Sequence, residues 1–217
     1  MTKTPGAART KVGITLDRVV GAAFEVLHRD GIAKLSARAI AAELDVRMNT
    51  VMWHIRTKER LLGLMAESIM GEVELDNLHG DWREQVAELL RRLRQAMLGH
   101  RDGALLVAGT FPVEPNTLAF SERVVTILFE GCPTRKSAAW TSWSLFYFTL
   151  GLVQEEQATP AAFHDRLRES VDDRRFPGLH SVLEDYVSID YSERFDFGIE
   201  QILHSAPTTR PRPHAGS

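Results

Sequence analysis

Residues 35–58 read LSARAIAAELDVRMNTVMWHIRTK, and this stretch decides the fold of the protein. Ile40 and Leu44 lie four residues apart behind Ser36, which predicts a short helix with the serine as its N-cap. After a three-residue turn, a second short helix is predicted over Met48–Ile55. Two short helices joined by such a turn form a helix-turn-helix, whose second helix fits the major groove of DNA.

The sequence on both sides of this stretch is also predicted to be helical. Apolar residues recur at three- and four-residue spacing between Leu16 and Leu27, which predicts a first helix that is capped by Thr15 and ended by Gly31. Thr57 is predicted to cap a fourth helix. Further helices are predicted over Trp82–Leu98, Leu118–Phe129, Thr134–Gln157 and Ser192–Ser205, with shorter pieces before Arg175. No sustained strand alternation is present, so we expect an all-α protein with a three-helix head on a larger helical bundle.

Composition divides the chain into four segments. Its 217 residues are 44% hydrophobic and 25% charged, as in ordinary globular proteins. We predict a flexible basic arm at 1–13, a helix-turn-helix DNA-binding domain at 14–60, a helical body at 61–205 and a disordered, proline-containing tail at 206–217. The basic arm is also compatible with an ordinary disordered terminus.

Charge is distributed unevenly between the head and the rest of the chain. Residues 1–60 hold 11 Lys+Arg and 6 Asp+Glu, a net charge of +5. The remaining residues carry −8, so that the whole chain has a net charge of −3. A basic module on an acidic body favours a polyanionic partner for the head alone. The sequence shows no signal peptide and no apolar run long enough for a bilayer, and Cys132 is the lone cysteine. We therefore expect a cytoplasmic protein without a membrane partner.

The two short helices supply side chains suited to double-stranded DNA. Residues on the flank of the first helix and at the start of the second are expected to reach base edges: Arg38, Arg47, Met48, Asn49, Thr50 and Met52. Thr50, His54 and Lys58 are expected to bind phosphates, as are the free amides near Thr57. The alternative is a helical hairpin that packs into a larger bundle, but the positive charge of the segment favours DNA.

The same stretch resembles the TetR family of bacterial repressors, and in particular its tetracycline-repressor subgroup. The similarity is carried by Thr-Val-Met-Trp-His-Ile-Arg-Thr-Lys at 50–58 with Leu61-Leu62, by His-Arg-Asp-Gly-Ala at 100–104, by Gly109-Thr110 with Pro112, and by Phe-Thr-Leu-Gly at 148–151. It covers roughly residues 14–157, with a weaker similarity at 195–203.

This resemblance implies a homodimeric repressor that binds a palindromic operator and is released by a small molecule in its body, so that 61–205 is an effector-binding and dimerisation domain. By position, the DNA-facing residues would be Arg38, Met48, Asn49, Thr50, Met52, His54 and Lys58. Trp53 would pack inside the head. Met52 replaces the aromatic residue usual at its position.

The effector site departs from that of the tetracycline repressors, which hold a magnesium–drug chelate. Their metal-binding histidine corresponds to Val107, and the following arginine to Phe111; Thr110 and the acidic Glu155 are retained. We expect an effector that is hydrophobic or aromatic and needs no metal, and we expect no cofactor. The candidate contacts are Leu89, Leu93, Met97, Val107, Thr110, Phe111, Phe129, Trp143, Tyr147 and Glu155.

A dimer interface is expected on the helix predicted at 134–157, which is apolar almost all round. Such a helix must be covered on several sides. One side would face its own core, and another would meet the same helix of a second copy. The last helix is expected to join this interface through Phe195, Phe197, Ile199 and Ile202.

Enzymatic function is not indicated by any motif in the chain. His-Arg-Asp-Gly occurs at 28–31 and at 100–103, but without the glycine loop and strand lysine of kinases, so both copies are predicted to be helix ends. Asp76, His79 and Asp81 are expected to form a polar linker rather than a metal site. We predict no catalytic residues and no metal; the alternatives are a helical-bundle enzyme or a protein-binding adaptor without DNA affinity.

Overall fold

The computed structural model describes residues 14–110, 113–160 and 162–205. The predicted arm at 1–13 and tail at 206–217 lie outside these residues. The helices are α1 Leu16–Asp30, α2 Ala37–Glu43, α3 Met48–Ile55, α4 Lys58–Gly71, α5 Trp82–Leu98, α6 Gly103–Ala108, α7 Pro115–Gly131, α8 Arg135–Ala158, α9 Phe163–Ser170, α10 Pro177–Ser181, α11 Leu183–Tyr186 and α12 Tyr191–Ser205. The described residues contain no strand, which confirms the all-α prediction.

The chain separates into two compact units between Leu61 and Leu62. In the first unit, α1, α2 and α3 pack against one another around a small apolar core. The predicted caps are confirmed: the Thr15 hydroxyl accepts from the Arg18 amide at 3.3 Å, and the Ser36 hydroxyl accepts from the Ala39 amide at 3.2 Å. Gly31 ends α1 with φ of 81°, in the backbone region that favours glycine.

A left-handed residue forms the tight turn between α2 and α3. Asp45 has φ of 51°, its amide donates to the Ala42 carbonyl at 3.3 Å, and the next amide, of Val46, donates to the Ala41 carbonyl at 3.0 Å. These two bonds make a Schellman motif, which satisfies carbonyl groups that α2 itself leaves unpaired. The turn therefore fixes the direction in which the chain leaves α2 and enters α3.

The second unit is built around α5, which packs against α6, α7, α8 and α12. Asp81 and Glu84 form a capping box at the start of α5, in which each side chain accepts from a backbone amide of the other residue. None of the helices within 14–110, 113–160 and 162–205 is both long enough and apolar enough to span a bilayer.

Three details of the second unit differ from the sequence prediction. α7 begins at Pro115, three residues before the predicted start, because proline suits the first turn of a helix. The short helices α6, α10 and α11 were not predicted, since pieces of one or two turns give little periodicity. The second His-Arg-Asp-Gly does not provide a C-terminal glycine: Gly103 is the first residue of α6, where a Cβ would lie 2.1 Å from the Met97 carbonyl oxygen.

Candidate nucleic-acid interface and effector site

The predicted recognition helix α3 has one buried face and one exposed face. Val51 and Ile55, which are four residues apart, are fully buried in the head. The remaining predicted DNA contacts of α3 and its flanks are exposed, apart from the partly buried His54: Arg38, Arg47, Met48, Asn49, Thr50, Met52 and Lys58. Two apolar anchors therefore hold α3 in the head and leave its polar and thioether side chains in solvent.

Trp53 does not pack inside the head, contrary to the prediction from the resemblance. Its side chain is 78% exposed and meets the His54 ring edge-on at 4.7 Å between ring centroids. The reason is helical geometry: residues three and four apart share a face, so Trp53 lies on the same side as Thr50 and Asn49 and opposite the buried Val51. Trp53 therefore belongs to the exposed face of α3.

The cationic residues of the helix-turn-helix are not engaged by the head itself. Within the described residues, no carboxylate lies within ion-pair distance of Arg38 or Arg47. By contrast, Arg29 binds Glu43 at 2.6 Å, and the pKa of Arg29 is raised mainly by that hydrogen bond. Arg38 and Arg47 thus leave their donors available to an external anion.

The free amides at the start of α4 are largely used by the chain itself. The Thr57 hydroxyl oxygen accepts from the Arg60 amide at 3.1 Å. The pKa of Glu59 is lowered, first by a hydrogen bond to its own backbone amide, then by the Thr57 hydroxyl and finally by the nearby Lys58 charge. A phosphate at this helix end would therefore have to displace the Glu59 carboxylate, which the sequence prediction did not consider.

Four of the predicted effector contacts, here called the buried apolar group, are buried apolar residues of the second unit. Leu89, Leu93 and Met97 are one turn apart on α5 and are inaccessible to solvent, and Val107 on the adjacent α6 is buried too. Thr110 follows α6, and its hydroxyl donates to the Val107 carbonyl at 3.1 Å. Phe111 lies outside the described residues.

The other predicted effector contacts lie at the surface. Phe129, Trp143 and Tyr147 are 44%, 54% and 62% exposed. Trp143 and Tyr147 stack at 5.3 Å between centroids on the side of α8 that is opposite its buried Leu145 and Thr149. These three aromatic side chains thus do not share the burial of Leu89, Leu93, Met97 and Val107.

Glu155 is also engaged elsewhere. Its carboxylate binds the Arg194 guanidinium through two hydrogen bonds of 2.9 and 3.2 Å, which join α8 to α12. This pairing raises the pKa of Arg194. An effector that used Glu155 would have to compete with a formed ion pair.

The structure reveals a buried ion pair that the sequence did not predict. Arg94 is only 6% exposed, and its guanidinium makes three contacts of 2.8 to 3.2 Å with the Glu156 carboxylate on α8. The guanidinium also lies 5.6 Å from the centre of the Phe195 ring. One signal was available, because Arg94 lies at three- and four-residue spacing from the buried Met97 and Leu90.

Gln157 fastens the junction of α5 and α6 to α8. Its amide nitrogen donates to the Met97 and His100 carbonyls at 3.1 and 2.8 Å, and its amide oxygen accepts from the Ala104 backbone amide at 3.1 Å. The His100 ring also contacts the Glu72 carboxylate at 2.8 Å. The segment that leads to Val107 and Thr110 is therefore held at its start.

The described part of the chain holds no group of three or more histidine, cysteine or acidic residues that could bind a metal ion. This finding includes Asp76, His79 and Asp81. Asp81 instead caps α5, as described above. Cys132 is buried at the end of α7.

Comparisons with known proteins agree with this architecture. The family model for the tetracyclin repressor-like C-terminal domain matches residues 56–205. An HTH-type transcriptional regulator of Saccharopolyspora erythraea is 33% identical over 212 residues, 93% of this chain and 88% of that protein. The class G tetracycline repressor protein of Vibrio anguillarum is 30% identical over 190 residues, 85% of this chain and 90% of that protein.

A solved structure shares the fold over nearly the whole chain. Apo ActR of Streptomyces coelicolor superposes with a TM-score of 0.82 and 30% identity, and the match covers 91% of this chain and 96% of ActR. ActR has also been crystallised in complex with actinorhodin and with (S)-DNPA. The helix-turn-helix head, the helical body and these similarities together show that the chain belongs to the TetR family of ligand-responsive, DNA-binding transcriptional repressors.

Proposed function

We propose that two copies of this protein bind a palindromic operator through their α3 helices and are released by a small hydrophobic or aromatic effector. The observation that carries this proposal is the exposed face of α3, where Met48, Asn49 and Thr50 stand in solvent while Val51 and Ile55 anchor the helix. A helix with this division can enter a major groove without losing its packing in the head. The protein would act in the cytoplasm, by binding rather than by catalysis.

Base edges and phosphates would be contacted by different residues. Arg38 carries a guanidinium suited to a guanine edge, and Asn49 carries an amide suited to an adenine edge. Thr50, His54 and Lys58 would bind phosphates, which position the protein without reading sequence. Met48 and Met52 would supply the apolar contacts, for which thymine methyl groups are the natural partners.

The effector would bind beside the buried apolar group of Leu89, Leu93, Met97 and Val107. Valine at 107 offers no metal ligand where the tetracycline repressors have a histidine, so the effector must be held by apolar contact and by polar groups such as the Thr110 hydroxyl. The related ActR binds actinorhodin and (S)-DNPA, which makes these two compounds the first probes.

A second copy would bind the exposed aromatic face of α8. Trp140, Trp143 and Tyr147 follow one another at three- and four-residue spacing and are 54% to 63% exposed, and Phe197 on the neighbouring α12 is 65% exposed. Large exposed aromatic patches on water-soluble domains mark association surfaces. Phe195 and Ile199, which were predicted to lie at the interface, are instead buried against the chain's own core.

The proposal is tested by selecting fragments bound by the full chain from random duplex DNA. We expect an inverted repeat whose half-sites are about one helical turn apart, and an affinity that falls steeply between low and moderate salt. Arg38→Ala should relax the base preference, whereas Lys58→Ala should weaken all duplexes about equally. Failure to enrich any duplex, or affinity without salt dependence, would refute DNA recognition by this surface.

Effector binding is tested separately by calorimetric titration of actinorhodin and (S)-DNPA into the operator complex, with and without EDTA. We expect binding that EDTA does not change and that releases the duplex. Binding that disappears with EDTA would contradict a metal-free site.

A further inference from the structure

The methionines of this chain fall into two groups by their exposure to solvent. Met65 and Met70 on α4 and Met97 on α5 are at most 2% exposed. Met48 and Met52 are 46% and 36% exposed, and both lie on α3. In the part of the chain that the structure describes, exposed thioether groups therefore occur only on the predicted recognition helix.

Helical spacing places these two thioethers on one side of α3. Met48 is the first residue of α3 and Met52 lies one turn later, so their side chains share a face. Val51 and Ile55 occupy the face that is buried in the head. Met52 also lines a surface concavity beside Trp53. A small solute can therefore reach both methionine side chains without any opening of the head.

The single thiol of the chain is shielded. Cys132 is 8% exposed at the end of α7. The susceptibility of a sulfur-containing side chain to oxidation follows its exposure. Met48 and Met52 should thus react with a dilute oxidant before Cys132 and before the buried methionines.

We propose that Met48 and Met52 form a reversible oxidation site for peroxides, and that their sulfoxides lower the affinity of the protein for its operator. This inference rests on the proposed function, in which both side chains contact DNA. In the reaction, a lone pair of the thioether sulfur attacks one peroxide oxygen, the S–O bond forms and the O–O bond breaks. The sulfur loses two electrons, and hydrogen peroxide is reduced to one molecule of water. A methionine sulfoxide reductase reverses the change with two electrons from a dithiol, and the oxygen leaves as water.

The oxidised side chains would no longer suit the contacts proposed for them. A thioether is apolar and flexible, whereas a sulfoxide is polar and chiral. A sulfoxide placed against thymine methyl groups would lose its hydration without gaining a hydrogen-bond donor. Oxidation leaves the net charge unchanged, so phosphate contacts, which do not read sequence, should be affected less. The loss should therefore be larger for the operator than for other duplexes.

The test measures the affinity of the full chain for the selected operator by fluorescence anisotropy, before and after treatment with hydrogen peroxide in the presence of EDTA. Peptide mass mapping should find an added oxygen on Met48 and Met52 before Met65, Met70 and Met97 react. We expect operator affinity to fall at least about tenfold, because a desolvated polar group without a partner is costly. The affinity for a scrambled duplex should fall less than about twofold. Reductases specific for the two sulfoxide epimers should restore the original operator affinity.

Matched variants assign the effect to the two residues. Met48→Leu combined with Met52→Leu removes both sulfur atoms and roughly conserves the side-chain volumes. Whatever its own operator affinity, peroxide should change that affinity by less than about twofold. Met65→Leu removes a buried thioether instead and should keep the peroxide sensitivity of the wild type. If the double variant binds too weakly for comparison, recovery of the wild type on reduction of its two mapped sulfoxides decides the assignment.

Operator should also protect these residues from oxidation. With saturating operator duplex, Met48 and Met52 should be oxidised more slowly than with a scrambled duplex at the same concentration. The inference is overturned if the buried methionines react first, if protein with both sulfoxides binds operator as tightly as the reduced protein, or if the double leucine variant loses as much affinity as the wild type. Failure of the untreated protein to bind any duplex would instead refute the proposed function.

Discussion

Arg56 connects α3 to α4 through a backbone conformation that residues with a side chain rarely adopt. Its φ is 61° and its ψ is −56°, and the Thr57 amide donates to the Ile55 carbonyl at 2.7 Å. A bond between residues two apart with these angles is the strained form of the γ-turn. Such conformations generally cost about 1–3 kcal/mol, so the junction between the recognition helix and α4 stores free energy.

Glycine at position 56 should release this strain. We expect Arg56→Gly to raise the free energy of unfolding by about 1 kcal/mol, because glycine adopts positive φ without a clash while making the unfolded chain more flexible. Urea denaturation measures the change. Arg56→Ala, which removes the same charge but keeps a Cβ, is the matched control and should not stabilise. Equal stability of the two variants would show that Arg56 is not strained.

Glu59 should weaken the binding of DNA by its charge. Its lowered pKa keeps the carboxylate ionised at neutral pH, beside Lys58 and the first amides of α4. Because the folded pKa is depressed, the stabilisation from these hydrogen bonds is complete above the unfolded pKa and is lost as pH falls through the folded value. Protonation of Glu59 should therefore not change the affinity for DNA near neutral pH.

Replacing this carboxylate should strengthen binding to all duplexes. We expect Glu59→Gln to raise affinity severalfold at low salt, with a smaller gain at moderate salt, since surface charges are screened by ions. Fluorescence anisotropy across a salt series measures this. Glu25→Gln, which removes one negative charge from the exposed side of α1, is the control and should have a smaller effect. Equal gains from both variants would indicate a general effect of net charge.

At the scale of the helix, the buried pair of Arg94 and Glu156 determines how α5 and α8 fit together. Arg94→Met leaves the Glu156 carboxylate without its partner, and we expect a loss of about 3 kcal/mol in unfolding free energy. Arg94→Met combined with Glu156→Leu should recover most of that loss, because an apolar pair of similar size carries no desolvation cost.

Urea denaturation of Arg94→Met, of Glu156→Leu and of the double variant completes this cycle. Arg91→Met is the control, because its partner Asp196 is solvent-exposed and such pairs contribute well under 1 kcal/mol. If the double variant were as unstable as Arg94→Met alone, the pair would have a role in packing beyond its charges.

The helices were largely predictable because their signals are local. Thr15, Ser36 and Gly31 mark helix ends through hydrogen bonds and φ preferences that involve only a few neighbouring residues. The bond between Arg94 and Glu156 was not predictable in this way, since 62 residues separate the partners. The same holds for Glu67 on α4, whose carboxylate accepts from the Asn116 and Thr117 amides at the start of α7. Trp53 is a different case. Its exposure could have been predicted from the sequence, because its two-residue spacing from Val51 places it on the opposite face of α3.

At the scale of the whole molecule, the exposed aromatic side of α8 should control assembly. We expect the wild type to have the mass of two chains at micromolar concentration and Trp143→Glu to have the mass of one, because a charge at this position would be desolvated in the interface. Sedimentation equilibrium measures both. Leu118→Glu, at another exposed apolar site on α7, should leave the mass unchanged. A wild type that is cleanly a single chain would refute this interface.

The indole rings on α8 make assembly visible by optical means. Trp140 and Trp143 are 63% and 54% exposed, and they are half of the chain's 4 tryptophans. Indole emission shifts to shorter wavelength when the ring leaves water. Pairing through α8 would therefore shift the emission maximum of the protein to shorter wavelength. The Trp53→Phe variant removes the tryptophan of the head and its emission. Dilution of this variant should then shift the emission to longer wavelength as the two copies separate, with no dye or tag attached.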